Sequence, residues 1–121
     1  MLLTISALMI SVSTLAAGTD MLVCDYQTYS DPKGNHAVER EFKLTFVIDK
    51  DKAVAYSVSN KGSVEVKFFP AETKLSFLEV TESGNLLITT VDKAGNSVHS
   101  RNIVVAGELA PSQFYGKCIF K

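Results

Sequence analysis

Residues 42–48 read FKLTFVI, in which Phe42, Leu44, Phe46 and Ile48 alternate with Lys43 and Thr45. Successive side chains of a strand point to opposite faces, so this pattern is a half-buried strand with four apolar groups on one face. The charged turn DKDK (Asp49–Lys52) follows, then AVAYSVS, where Val54, Tyr56 and Val58 are expected to share a face. Asn60–Gly62 (NKG) is turn chemistry, because Asn and Gly tolerate the positive φ of a tight hairpin. SVEVKFF sets Val64, Val66 and Phe68 against Glu65 and Lys67, and Pro70 ends that ladder because it has no amide hydrogen to donate.

The same rhythm runs in both directions. KLSFLEV, the turn TESGN, LLITTV, the turn DKAGN and a long strand SVHSRNIVVAG follow in order. LVCDYQTY supplies the first strand and QFYGKCIF the last, with no helical period anywhere between them. About eight antiparallel strands at spacings near ten residues predict an all-β fold, either a small up-and-down barrel or a two-sheet sandwich.

The chain has 121 residues, and its first 18, MLLTISALMISVSTLAAG, carry no charged side chain. An apolar run closed by Ala16, Ala17 and Gly18 outlines a cleaved secretory signal peptide, although the usual N-terminal Lys or Arg is missing. Cleavage is expected after Gly18, Ala16 or Ala17. The run is too short and too rich in Ser and Thr for a membrane span. Bulky Val23 before Cys24 argues against lipid attachment there. The chain therefore divides into a signal at 1–18 and a single all-β domain at 19–121, exported to the periplasm or secreted, with no stable membrane span after cleavage.

All 12 basic and 13 acidic residues lie beyond the signal, for a formal net charge of −1. Without a basic block the electrostatic footprint of nucleic-acid binding is missing. Two cysteines in an oxidising compartment allow one intramolecular bond, Cys24–Cys118, between the first and last strands. The loop it closes, 118 minus 24 or 94 residues, implies a stabilisation of about 4–5 kcal/mol in the chain-entropy account.

Catalytic and metal chemistry find little footing. His99 and Ser100 are adjacent in a strand and point apart, so they cannot act as base and nucleophile together. His99 and Arg101 are read instead as an exposed polar strand face. His36 and His99 stand 63 residues apart with no ligand spacing, and DKDK lacks the Gly and closing Glu of a calcium loop. No catalytic residue, metal or cofactor is expected. Tyr26, Tyr29, Phe114 and Tyr115 gather in the two end strands as a candidate aromatic cluster. The polar stretch Pro111, Ser112 and Gln113 is a candidate partner-contact loop for a protein in the envelope or outside the cell.

The export signal, the early cysteine, the repeated hairpins and the closing VHSRNIVVAGELAPSQFYGKC (Val98–Cys118) resemble a group of small uncharacterised bacterial exported proteins, which implies no particular activity. The layout is also similar to the periplasmic inhibitors of C-type lysozyme, small eight-stranded barrels that insert a Ser- and Lys/Arg-bearing loop into a glycosidase cleft. This chain has no Trp and only TESGN as an echo of that family's motif. The expected function is a non-enzymatic binding or envelope-associated module. The alternatives are an inhibitor of a lysozyme-like glycosidase and a small-ligand-binding barrel.

Overall fold

The computed structural model describes residues 18–121, so the expected signal peptide lies almost wholly outside the described residues. The chain forms β1 (Thr19–Asp31), β2 (Gly34–Asp49), β3 (Val54–Ser59), β4 (Gly62–Pro70), β5 (Lys74–Val80), β6 (Leu86–Asp92) and β7 (Asn96–Asn102). A short hairpin, β8 (Val104–Val105) with β9 (Glu108–Leu109), precedes β10 (Ser112–Phe120). Eight strands close an antiparallel barrel in the order β1-β10-β7-β6-β5-β4-β3-β2. The sandwich alternative is thereby excluded. No helix among the described residues is long and apolar enough to cross a membrane.

Every hairpin neighbour in sequence is a neighbour in space, and the seam between β1 and β10 completes the ring. Cys24 stands directly opposite Cys118 across that seam, and the two are joined by a disulfide with a Cα–Cα distance of 3.9 Å. Both lie in the interior, 0 % and 5 % exposed. Around them Leu22, Phe46, Ile48, Ala55, Val66, Phe77 and Val91 form the core. Phe46 stacks on Phe77 with ring centroids 4.1 Å apart, filling the middle of the barrel.

Small residues make room for these rings. Gly116 pairs with Tyr26 across the seam, and a Cβ there would run into the Asp25 carbonyl oxygen and stand 2.7 Å from the Tyr26 Cα. Gly95 turns the chain at φ +92 while its carbonyl accepts the Cys118 amide at 2.7 Å, a conformation open to glycine because it lacks Cβ. Carboxylates fix the turns beside it: Asp92 accepts the Asn96 amide at 2.8 Å, and Asp49 accepts those of Asp51 and Lys52.

Three sequence expectations change. In β3, Val54, Tyr56 and Val58 do share a face, but it is the outer one: Ala55 is buried while Val58 is exposed, so Ala55 and Ser57 face inward. The cause is their partners: Ala55 pairs with Ile48 and Ser57 with Phe46, and large inward groups on β2 need small ones beside them. The long strand expected from Ser97 onward stops at Asn102 and resumes as the β8–β9 hairpin, turned by Ala106 (φ 52) and Gly107 (φ 83). The strand that FKLTFVI belongs to begins eight residues early, at Gly34. Its first half pairs with β1 past a bulge in which Gln27 stands opposite Val38–Glu41. The bulge resets the alternation so that Tyr26 and Tyr29 both face inward.

Candidate functional site

The barrel has a sealed end and an open end. The sealed end is the one whose interior Leu22, Ile48 and Ala55 fill. It holds the 49–54, 70–74 and 92–96 turns with Thr19 and Phe120, and a hollow of about 330 Å³ on its rim lies between Leu75, Val91 and Phe120. Toward the other end the interior is not filled. A cavity of about 160 Å³ opens there. Its apolar lining is Phe42, Leu44 and Phe46 from β2, Val66 from β4 and Phe77 from β5. Ser57, Glu79, Leu87, Arg101, Thr89 and His99 complete the lining on β3, β5, β6 and β7.

Register explains this set. Phe77 pairs with Thr89, Thr89 with His99 and His99 with Phe114, so these four form one inward row. One step toward the open end, Glu79 pairs with Leu87 and Leu87 with Arg101. Glu79 and Arg101 therefore flank Leu87 with their backbones about 9–10 Å apart, two strand spacings. Neither carries a salt bridge among the described residues. Arg101 sits with its guanidinium carbon 6.0 Å from the centre of the Phe114 ring.

His99 is 4 % exposed, which corrects its expected place on an exposed polar face. Its inward direction follows from its pairing with Thr89, itself 2 % exposed. Thr89 Oγ1 and His99 Nδ1 are 2.8 Å apart. The hydroxyl has no other hydrogen-bond partner among the described residues, so the tautomer that satisfies its proton has the hydroxyl donating to Nδ1 and the ring proton on Nε2. No buried side-chain nitrogen or oxygen among the described residues lacks a partner. Nε2, which bonds to no group among the described residues, is accordingly the ring atom that meets the cavity. Burial, aided by the Arg101 charge, lowers the His99 pKa to about 4, so the imidazole is neutral at ordinary pH.

A second buried chain of hydroxyls lies beneath. Tyr26 donates to Ser97 Oγ at 2.8 Å, and Ser97 donates to the Thr90 carbonyl at 3.0 Å. Burial raises the Tyr26 pKa to about 12, with the Ser97 hydrogen bond partly opposing the shift. Tyr26, Phe42 and Phe114 ring His99, and Tyr29 stacks on Phe114 at 5.1 Å. Of the four end-strand aromatics expected to cluster, Tyr26, Tyr29 and Phe114 do so inside, while Tyr115 points outward.

The structure brings only part of the sequence-derived set together. Arg101 joins His99 at the cavity. Pro111, Ser112 and Gln113 line a separate shallow hollow of about 230 Å³ with Asp31 and Pro32. Ser112 and Gln113 are strand rather than loop, held by pairing to Arg101 and Ser100. Beside them the β8–β9 hairpin exposes Val104, Val105 and Leu109, the last at 79 %. No trio of His, Cys, Asp or Glu among the described residues is grouped to hold a metal.

Sequence reasoning missed Glu79, Thr89 and Ser57. Glu79 ends KLSFLEV as an apparent surface charge, and only the parity that places Phe77 inward would have shown it sharing that face. Compared with known protein families, characterised proteins and solved structures, the chain shows no match.

Proposed function

We propose that the protein is an exported, non-enzymatic binding barrel that takes a small ligand into the open end of its interior. The observation that carries this reading is the cavity itself, a half-enclosed apolar pit with a neutral imidazole on its wall. Most small-molecule sites share this character, apolar with a few converging polar groups, although drug-sized pockets are larger, about 300–1,000 Å³. An apolar cavity of about 150 Å³ accepts benzene, so the buried part of the ligand is about one ring or a short branched chain. The interior disulfide supports export, since such bonds persist in oxidising compartments.

Toluene titrated into ¹⁵N-labelled protein tests the reading. Shifts concentrated at Phe42, Phe77, Leu87 and His99, abolished by Leu87→Trp at the mouth, are the expected result. Shifts scattered over the exterior, or unchanged by the plugging substitution, would overturn it.

A second reading, a protein-binding module of the cell envelope, is favoured by the apolar β8–β9 hairpin. Capture of an envelope protein that is lost on Leu109→Ser would support it. The lysozyme-inhibitor alternative predicts that the purified protein slows a C-type lysozyme, and an unchanged rate at micromolar protein would remove it.

A further inference from the structure

The cavity wall carries groups that its apolar floor does not require. His99 is buried, yet its Nε2–H meets no acceptor among the described residues and faces the cavity. Arg101, two residues along the same face of β7, presents a guanidinium with no carboxylate partner. Glu79, on the other side of Leu87, presents a carboxylate with no cationic partner. Half-buried charges usually pair when they can, because each loses hydration that a partner would replace. Here a strand separates them, and a ligand lying across Leu87 would meet both. A simple anion would gain from Arg101 and be repelled by Glu79, whereas a simple cation would meet the reverse.

We propose that the ligand is a small zwitterion, an aromatic or branched apolar body carrying both a carboxylate and an ammonium group, as in a free α-amino acid. Its carboxylate accepts from the Arg101 guanidinium and the His99 Nε2–H, its ammonium donates to Glu79, and its side chain rests on Phe46 and Phe77. Guanidinium suits the planar carboxylate because its N–H groups can bond both oxygens in parallel. The neutral imidazole adds a donor without adding a second full charge to the mouth. This assignment rests on the reading that the barrel takes a small ligand, and it adds the class of that ligand.

Four probes of similar bulk test it by calorimetry and by amide shifts: L-phenylalanine, 3-phenylpropionate, phenethylamine and toluene. Phenylalanine is expected to bind about tenfold or more tighter than either singly charged analogue, the usual effect of a charge-assisted hydrogen bond. Arg101→Gln is expected to bring phenylalanine down to the level of phenethylamine, and Glu79→Gln down to that of 3-phenylpropionate. Equal or tighter binding of 3-phenylpropionate, or a ratio untouched by Glu79→Gln, would overturn the zwitterion. Toluene binding with no gain from either charge would overturn it while leaving the binding barrel intact. No cavity shift with any probe would overturn both. Should a variant fold poorly, the ranking on the unmodified protein decides alone.

Discussion

Toward the sealed end, Leu22, Ile48, Ala55 and the Cys24–Cys118 bridge fill the interior with apolar side chains. Toward the open end, Thr89, His99, Arg101 and Glu79 share it with Phe42, Phe77 and Leu87, and about 160 Å³ is left empty. The first region stabilises the barrel through close packing and a covalent closure. The second gives up packing and turns polar atoms without partners among the described residues, His99 Nε2 one of them, toward the cavity. Segregating the two lets the chain carry an unsatisfied site on a small core, since the stable end compensates for the open one.

The largest effect that would break this contrast is removal of the clasp. Replacing both cysteines by serine should lower the unfolding free energy by about 4–5 kcal/mol, read as a lower urea midpoint. A midpoint shift equivalent to less than about 1 kcal/mol would mean that the seam holds without the bond. Next comes a matched truncation at the two ends. Leu22→Ala, in a filled interior, should cost about 2–5 kcal/mol. Leu87→Ala should cost well under half as much, because Leu87 is only half-buried and borders space that is already empty. Equal losses would show that the open end is packed as tightly as the sealed one.

Acid probes the open end through His99. The unfolded chain takes up a proton on His99 near its ordinary pKa of 6.5, and the folded chain only near 4. Between those values the unfolded state binds more protons, so stability falls as pH drops from about 6.5 to 4 and this contribution levels off below. The loss amounts to about 3 kcal/mol at most. Asp31 and Asp92 act lower still. The His36 side-chain hydrogen bond and the Asn96 amide respectively hold their pKa values below 3.8, so the stability they add is lost only in stronger acid. His99→Gln should flatten the upper step and leave the lower one, and an unchanged upper step would place its origin elsewhere.

The smallest effect concerns Arg101. Its removal as Arg101→Gln should change stability by no more than about 1 kcal/mol, since the guanidinium has no ionic partner to lose. It should nevertheless raise the pKa of His99, because the Arg101 charge is one of the two causes that lower it. A downward or absent shift in the imidazole NMR titration would contradict their juxtaposition.

Much of the frame is legible from alternation alone. FKLTFVI faces inward through Phe42, Leu44, Phe46 and Ile48, and KLSFLEV spans the same residues, Lys74–Val80, as β5. The pairing of Cys24 with Cys118 follows from two thiols in the two end strands. What alternation misjudges is a polar interior. SVHSRN carries polar residues on both faces, so nothing local says that Ser97, His99 and Arg101 point in while Val98 and Ser100 point out. Their direction is set by Thr89 and Phe114 across the ladder, which are distant in sequence. The β3 reversal has the same origin, since AVAYSVS turns its larger groups outward to suit Phe46 and Ile48 on the neighbouring strand.

The seam also decides where the polypeptide enters and leaves. Thr19 lies beside Asp49, and the Lys121 amide donates to the Met21 carbonyl at 2.8 Å, so Thr19 and Lys121 lie together at the sealed pole. A tether joined at Thr19 or at Lys121 therefore attaches opposite the mouth. A barrel displayed on a bead, a surface or a second protein in this way would keep its entrance facing the solvent, with no linker crossing the path of a ligand.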